Sequence, residues 1–240
     1  MSNAPEQLPA HLRPITVEIP LTWTPEQALA VYELLDDLRE RIWEIYDLRL
    51  QDLLREQRQI PVDLGAGEQH SEAYRAINPR RVVPALVLED GATIGEVPAI
   101  MRYLDEAFPK TPLLGVTPKD KGLITMWERY AELEGFAAVM EGVRNRIAAL
   151  KGRAIAGPHD YEQIPALVDR SVLRVKNFLT DLNDRLEQVS FVAGEQFSAA
   201  DITAMVTIDF AKALDISVPE RHRALTRWYE AVSARPSASA

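Results

Sequence analysis

Two short stretches carry the residue types with the most chemical content. The first is Asn78-Pro79-Arg80-Arg81-Val82-Val83-Pro84-Ala85-Leu86-Val87-Leu88. A proline heading an apolar run cannot donate to a β-ladder, so it belongs at a strand start, at an edge or in a cis turn. With Val83–Pro84 cis, the N–H and C=O of Val83 turn away from the sheet and can pair with an extended, peptide-like ligand. Taken alone, the same residues fit a plain strand start at least as well. The second stretch is Gly95-Glu96-Val97-Pro98-Ala99-Ile100, a turn entering a helix. Free N–H groups at a helix start favour a carboxylate, and an acidic side chain beside them can accept from an ammonium. Glu96 equally fits the plainer role of a first-turn acid that complements the helix dipole.

Other chemistries lack their residues. The chain has no cysteine, which excludes disulfides, thiolate zinc sites, iron–sulfur clusters and a cysteine nucleophile. His11, His70, His159 and His222 are far apart in sequence, with no HxH or HExxH spacing, so no metal site is expected and the four read as surface residues. No GxGxxG, Walker loop or GxSxG elbow occurs. A net charge of −9 argues against binding nucleic acid or an acidic membrane through the bulk field. No apolar run approaches the roughly 20 residues of a membrane span, and the polar start MSNAPEQLPAHLRP has no secretory core, so the expected compartment is the cytosol.

The elements that must position the two stretches follow from periodicity. Residues 1 to 14 read as a loose lead-in, and Ile15 to Ile19 alternates like a short strand. Thr24-Pro25-Glu26-Gln27 is a capping box opening a long amphipathic helix, with Val31, Leu34, Leu35, Leu38, Ile42, Ile45 and Tyr46 on one face and a continuation through Leu50, Leu53 and Leu54. That face suits an internal core or a dimer partner. Pro61 to Leu64 reads as a strand, and a polar helix passes through Tyr74 and Ala76. Val82 to Leu88 reads as a buried strand joined by the Glu89-Asp90-Gly91 turn to Thr93-Ile94. A helix over 97–108 should turn Ile100, Met101, Tyr103 and Leu104 inward. The Pro-rich segment 109–118 is a linker, and helices over about 119–150, 161–188, 199–213 and 220–233 follow it. An α/β part followed by an all-α part is expected.

The order N-P-x-x-x-V-P-A-L, a D-G hairpin, G-E-V-x-A-I-x-x-Y-L and a Pro-rich linker resembles the later half of the thioredoxin-like domain of cytosolic glutathione S-transferases. Phe191-Val-Ala-Gly-Glu-Gln-Phe-Ser-Ala-Ala-Asp-Ile202 is similar to that family's entry into a buried helix of its second domain. There Ser198 and Asp201 form an N-terminal box whose role is folding. The resemblance spans about Val62 to Ala234. It implies a thioredoxin-like α/β domain over 59–109, its first strand and helix either altered or supplied upstream, an all-α helical bundle domain over 119–240, and an atypical segment over 1–58. It further implies glutathione as co-substrate, with Val83 binding the cysteinyl backbone, Pro84 as the cis proline, and Glu96 with the backbone of Val97 holding the γ-glutamyl end. Many members carry Ser where this chain has Val97, and E-V variants look like bacterial members. The partners implied are a small hydrophobic electrophile and a second copy of the chain. Met126, Trp127, Tyr130 and Phe136 either line the electrophile site or belong to the core.

The chain departs from the family upstream. Members begin with a strand, a catalytic loop bearing Tyr, Ser or Cys, and a helix, whereas residues 1–58 show no such start. Either Ile15 to Ile19 is the first strand and Thr22 or Thr24 occupies the loop, or an unrelated helical segment replaces the strand, the helix and the hydroxyl. Thr24 is accounted for as a helix cap, so the catalytic residue stays unassigned. An active enzyme would hydrogen-bond the glutathione thiolate and aim it at the electrophile. A scaffold without the donor would be a binding or interaction protein.

Overall fold

The computed structural model describes residues 60–238 and, before them, residues 22, 24, 25, 27–31, 33–35, 37, 38, 41 and 42. The chain divides into two units, Met1–Pro61 and Val62–Ala240. The strand expected over Ile15 to Ile19 and the helical continuation through Leu54 lie outside the described residues.

In the first unit every described residue from 25 to 42 is helical. Thr24 caps this helix: its Oγ1 accepts from the Gln27 N–H at 3.3 Å, and its own N–H donates to Gln27 Oε1 at 3.0 Å. The capping box follows from the spacing, because each side chain takes up an amide that the first helical turn leaves orphaned. The apolar stripe is not buried, with Leu34, Leu35 and Leu38 each more than half exposed.

In the second unit the α/β part is small. Helix α1 (Glu72–Ile77) is capped by Ser71, whose Oγ accepts from the Tyr74 N–H. Strands β1 (Ala85–Val87) and β2 (Thr93–Gly95) pair antiparallel, in the register Ala85 with Gly95, Leu86 with Ile94 and Val87 with Thr93. Gly91 turns the chain between them at φ 84°, a conformation open to glycine, while Asp90 Oδ1 accepts from the Ala92 N–H. Helix α2 (Val97–Ala107) follows at once.

Three expectations fail here for local reasons. Residues 61–64 form no strand, because the backbone groups a ladder needs are taken by a turn. The Asp63 N–H donates to Glu68 Oε2, the Asp63 carbonyl accepts from the Glu68 N–H, and the Asp63 side chain accepts from the Ala66 N–H. The strand expected from Val82 starts only at Ala85, since Val82 is held by side chains ahead of it. On α2, Ile100 and Met101 are half-buried but Tyr103 and Leu104 are exposed at 38% and 41%, because two strands of three residues cover only part of the helix.

The segment 109–117 is anchored. Asp105 Oδ1 accepts from the N–H groups of Leu113 and Leu114, and the Leu113 carbonyl accepts from the Ala199 N–H at 3.0 Å. Beyond it runs a near-continuous helical rod: α3 (Pro118–Tyr130), a π-helical turn (Ala131–Phe136) and α4 (Ala137–Arg146). Thr117 and Asp120 form the capping box that starts it. Helices α5 (Ala166–Leu186), α6 (Ala199–Ala211) and α7 (Arg223–Ser233) pack on this rod. The core of the unit lies among them, built from Val139, Val143, Phe178, Leu182, Ile208, Leu225 and Trp228.

The box ahead of α6 forms as the spacing requires. Asp201 is fully buried; Oδ1 accepts from the Val192 N–H and Trp228 Nε1, and Oδ2 from the Ser198 N–H and Oγ. Burial pushes its carboxyl above the ordinary value, with these donors pulling the other way. Trp228 thereby ties α7 to the start of α6. Of the four histidines, His222 departs from the surface reading: it is 4% exposed at the head of α7, where burial and Arg221 hold it below its ordinary pKa.

Candidate functional site

The hairpin register brings the two chemically rich stretches to one end of the sheet. The ladder's last pair is Ala85 with Gly95, so Pro84 and Glu96 are the next residue on each strand, with Val83 and Val97 beyond them. The Val83–Pro84 bond is cis. Val83 is 39% exposed, and its backbone N–H and carbonyl have no partner among the described residues.

The approach to this end is fixed from behind. The Val82 carbonyl accepts from Tyr74 Oη at 2.7 Å and Asn78 Nδ2 at 2.8 Å, and both donor side chains are buried. Asn78 also closes the preceding turn, with its Oδ1 accepting from the Arg80 N–H and its carbonyl from the Arg81 N–H. Arg81 sits in the left-handed region at φ 57°. A residue held from within α1 by Tyr74 and from its C-cap by Asn78 leaves the next one, Val83, displayed at the surface.

Glu96 is the residue ahead of α2 rather than a first-turn acid, and it too has positive φ, 66°. Non-glycine residues rarely adopt this conformation, and the cost is borne where a site demands it. The Glu96 carbonyl accepts from the N–H groups of Ala99 and Ile100 at 3.1 Å, and Pro98 has no N–H. Among the described residues the Val97 N–H at this helix start has no partner. Arg80 Nη2 stands 3.3 Å from Glu96 Oε1, an exposed pair. A guanidinium, a carboxylate and a free N–H therefore converge at one helix start, matching the charges of an amino-acid head group with its own ammonium and carboxylate.

An apolar cleft of about 500 Å³ lies between the rod and the segment joining α4 to α5. Phe136, Met140, Ile155, Tyr161, Ile164 and Leu167 form its walls. The joining segment is folded onto the rod by the Gln163 side-chain amide, which donates to the carbonyls of Arg144 and Ile147, and by Asn145 Oδ1, which accepts from the Ile164 N–H. The same segment reaches the hairpin side, since a methyl group on Gly157 would lie 3.9 Å from the Arg80 carbonyl oxygen. His70 is held below its ordinary pKa by partial burial, then by Arg153 and Arg81, with Asp160 opposing. Of the residues read as electrophile lining or core, Phe136 lines the cleft. Trp127 and Tyr130 pack against the core, and Met126 is 53% exposed outside it.

Residues 145–236 match the family profile "Glutathione S-transferase, C-terminal domain", and residues 50–107 match "Glutathione S-transferase, N-terminal domain". Glutathione S-transferase 2 of Saccharomyces cerevisiae is 33% identical over 178 residues, covering 74% of this chain and 74% of that protein. The chain belongs to the glutathione S-transferase family.

Solved structures agree. Gtt2 from Saccharomyces cerevisiae superposes with TM-score 0.67 at 32% identity, over 75% of this chain and 84% of that one. A glutathione S-transferase domain-containing protein from Marinobacter aquaeolei VT8 gives 0.66 at 32%, over 75% and 85%. As in the family, a thioredoxin-like domain precedes a helical domain. The N-terminal match begins at residue 50, upstream of the Val62 from which the sequence motifs run. Thr22 lies in a turn of the first unit and is exposed, and Thr24 Oγ1 is engaged in its cap. Sequence reasoning missed Arg80, Arg144, Arg153 and His70. Their spacing carries no signal, and only the folded segment 147–165 brings the last three into one electrostatic neighbourhood.

Proposed function

We propose that this family member binds glutathione at the open end of the hairpin and transfers it to an electrophile held in the adjoining cleft. The observation that carries the reading is the convergence of a displayed Val83 backbone, the Glu96 carboxylate and the Val97 N–H at one end of the ladder. An extended tripeptide pairs its cysteinyl N–H and C=O with Val83 in strand-like fashion. Its γ-glutamyl end has an ammonium for Glu96 and a carboxylate for the Val97 N–H, with Arg80 beside both. The Tyr74 and Asn78 hydrogen bonds to Val82 keep the Val83 groups oriented, so ordering entropy is reduced before the ligand arrives.

In the reaction the glutathione thiol gives its proton to solvent, and the thiolate forms a sulfur–carbon bond with the electrophile. The bond to the leaving group breaks, and that group departs with its electron pair. Glutathione supplies the sulfur nucleophile that a cysteine-free chain lacks. The residue that hydrogen-bonds the thiolate is unassigned. The cleft's apolar walls suit a small hydrophobic electrophile. The cytoplasm and a homodimeric state complete the proposal, the latter resting on the family likeness.

Retention on immobilised glutathione together with turnover of a generic chloroaromatic substrate is the test. Retention with turnover is expected. Absence of both overturns the reading, and retention without turnover makes the protein a glutathione-binding scaffold.

A further inference from the structure

The cleft's polar lining is unevenly compensated. Glu132 is paired with Arg129, and Glu141 accepts from Arg170 and from the buried Ser171 hydroxyl. Asn145 is spent on structure, its amide donating to the Glu141 carbonyl and its oxygen accepting from Ile164. Glu162 is exposed at the rim. Arg144 differs from all of these. Its Nε contacts Met140 Sδ at 3.1 Å and its Nη1 donates to the Arg153 carbonyl at 2.8 Å, and among the described residues no carboxylate lies within ion-pair distance. Burial and the neighbouring Arg153 both disfavour its charge. A half-buried guanidinium held in place by a carbonyl and a thioether, with a second cation beside it, lacks its counter-ion.

We propose that the cleft takes an amphipathic acid, an apolar body against Phe136, Met140, Ile155 and Leu167 with an anionic group on Arg144. This deepens the transferase reading and rests on it for the claim that such an acid is the electrophile. The overall charge of −9 works against anion binding anywhere on the surface. A second cavity, of about 280 Å³, is lined by Asp120 and Glu195 with no basic residue among its lining residues, so it does not compete for an anion. Arg144→Gln separates a preference for an anionic ligand held in the cleft from one held by Arg80 and the Val97 N–H.

The binding test uses the full chain without glutathione. Fluorescence titration compares 8-anilinonaphthalene-1-sulfonate with its uncharged counterpart N-phenyl-1-naphthylamine. The sulfonate is expected to bind about tenfold tighter, as befits one charge-assisted hydrogen bond, with the margin shrinking in high salt. Arg144→Gln should abolish the margin while leaving the neutral probe's affinity unchanged, and Arg144→Lys should keep part of it. Equal affinities in the unaltered chain, tighter binding of the neutral probe, a margin that survives Arg144→Gln, or no saturable binding of either probe overturns the proposal. If Arg144→Gln does not fold, the unaltered chain and Arg144→Lys still decide. A second arm compares glutathione-dependent turnover of a chloronitrobenzoate with that of the matching chloronitrobenzene. A sulfonate margin with no turnover of either substrate supports the cleft assignment and overturns the transferase reading. Turnover without preference for the acid does the reverse.

Discussion

Replacing Asp201 with asparagine tests the joint that holds α6, α7 and the 191–198 loop together. The carboxylate is fully buried and receives four donors, two on each oxygen, at 2.8–3.0 Å. Asparagine has nearly the same volume but one acceptor oxygen. If that oxygen keeps Val192 and Trp228, the amide NH2 faces the Ser198 N–H and Oγ. The hydroxyl can rotate to accept, but the backbone N–H is left against another donor in a place water does not reach. An unsatisfied buried donor costs about 1–3 kcal/mol, and turning the two retained bonds from charge-assisted to neutral costs about 1 kcal/mol more. Relief of the buried charge returns a part. The net expectation is a loss of about 2–4 kcal/mol, or close to 10 °C in Tm for a chain of this size. Thermal and denaturant unfolding followed by circular dichroism measure it. Trp228→Phe, which removes one donor and keeps the ring, should give a smaller loss and be non-additive with Asp201→Asn. A change of under about 2 °C in Asp201→Asn, or full additivity of the pair, would refute the four-donor argument.

Three further outcomes follow from the geometry. Glu96→Gln should raise the KM for glutathione about tenfold or more by removing a charged acceptor, whereas Arg80→Ala should change it less than about fivefold because an exposed pair is worth at most about 1 kcal/mol; steady-state kinetics separates them. Gly135→Ala should destabilise by about 1–3 kcal/mol, since the added methyl would lie 2.9 Å from the Phe178 ring and from Thr207 Cγ2; urea unfolding reads this directly. The Glu141 carboxyl is held below its ordinary value because Ser171 and Arg170 together outweigh its burial, so this contribution is present at neutral pH and lost as pH falls through that lowered pKa. Ser171→Ala should therefore cost about 1–2 kcal/mol at pH 7, and the difference should narrow in unfolding curves taken below pH 4.

What was legible in the sequence is what neighbours along the chain decide. Thr24 with Gln27, and Ser198 with Asp201, form their boxes because donor and acceptor lie three residues apart on one helical turn. Gly91 and Asp90 make their hairpin for the same kind of reason, and the hairpin's register carries Val83 and Glu96 to one end of the sheet. Where the pattern misled, a short-range competitor or a distant segment intervened. Pro61 to Leu64 reads as a short strand, but Asp63 and Glu68 capture the backbone first. His222 looks like any polar residue before a helix until the core closes over it.

The division between local and distant control also runs through the site. The proposed glutathione end depends on a hairpin and one helix start, both short-range, so the motifs from which the family resemblance implies its residues are contiguous in the sequence. The cleft depends on residues 147–165 folding back onto α4 through Gln163 and Asn145, contacts that no periodicity announces. Arg144 looks like an ordinary solvated helix residue in the pattern E-G-V-R-N-R. It becomes a half-buried cation with no counter-ion among the described residues only when the segment carrying Arg153 and Ile155 settles beside it. With the electrophile in the cleft as proposed, changes in that segment away from Gly157 and Arg153 should alter which electrophile fits while leaving the β1–β2 hairpin untouched. Substrate choice can therefore vary among relatives that share the motifs around Val83 and Glu96, and Arg144→Gln should change selectivity without changing retention on glutathione.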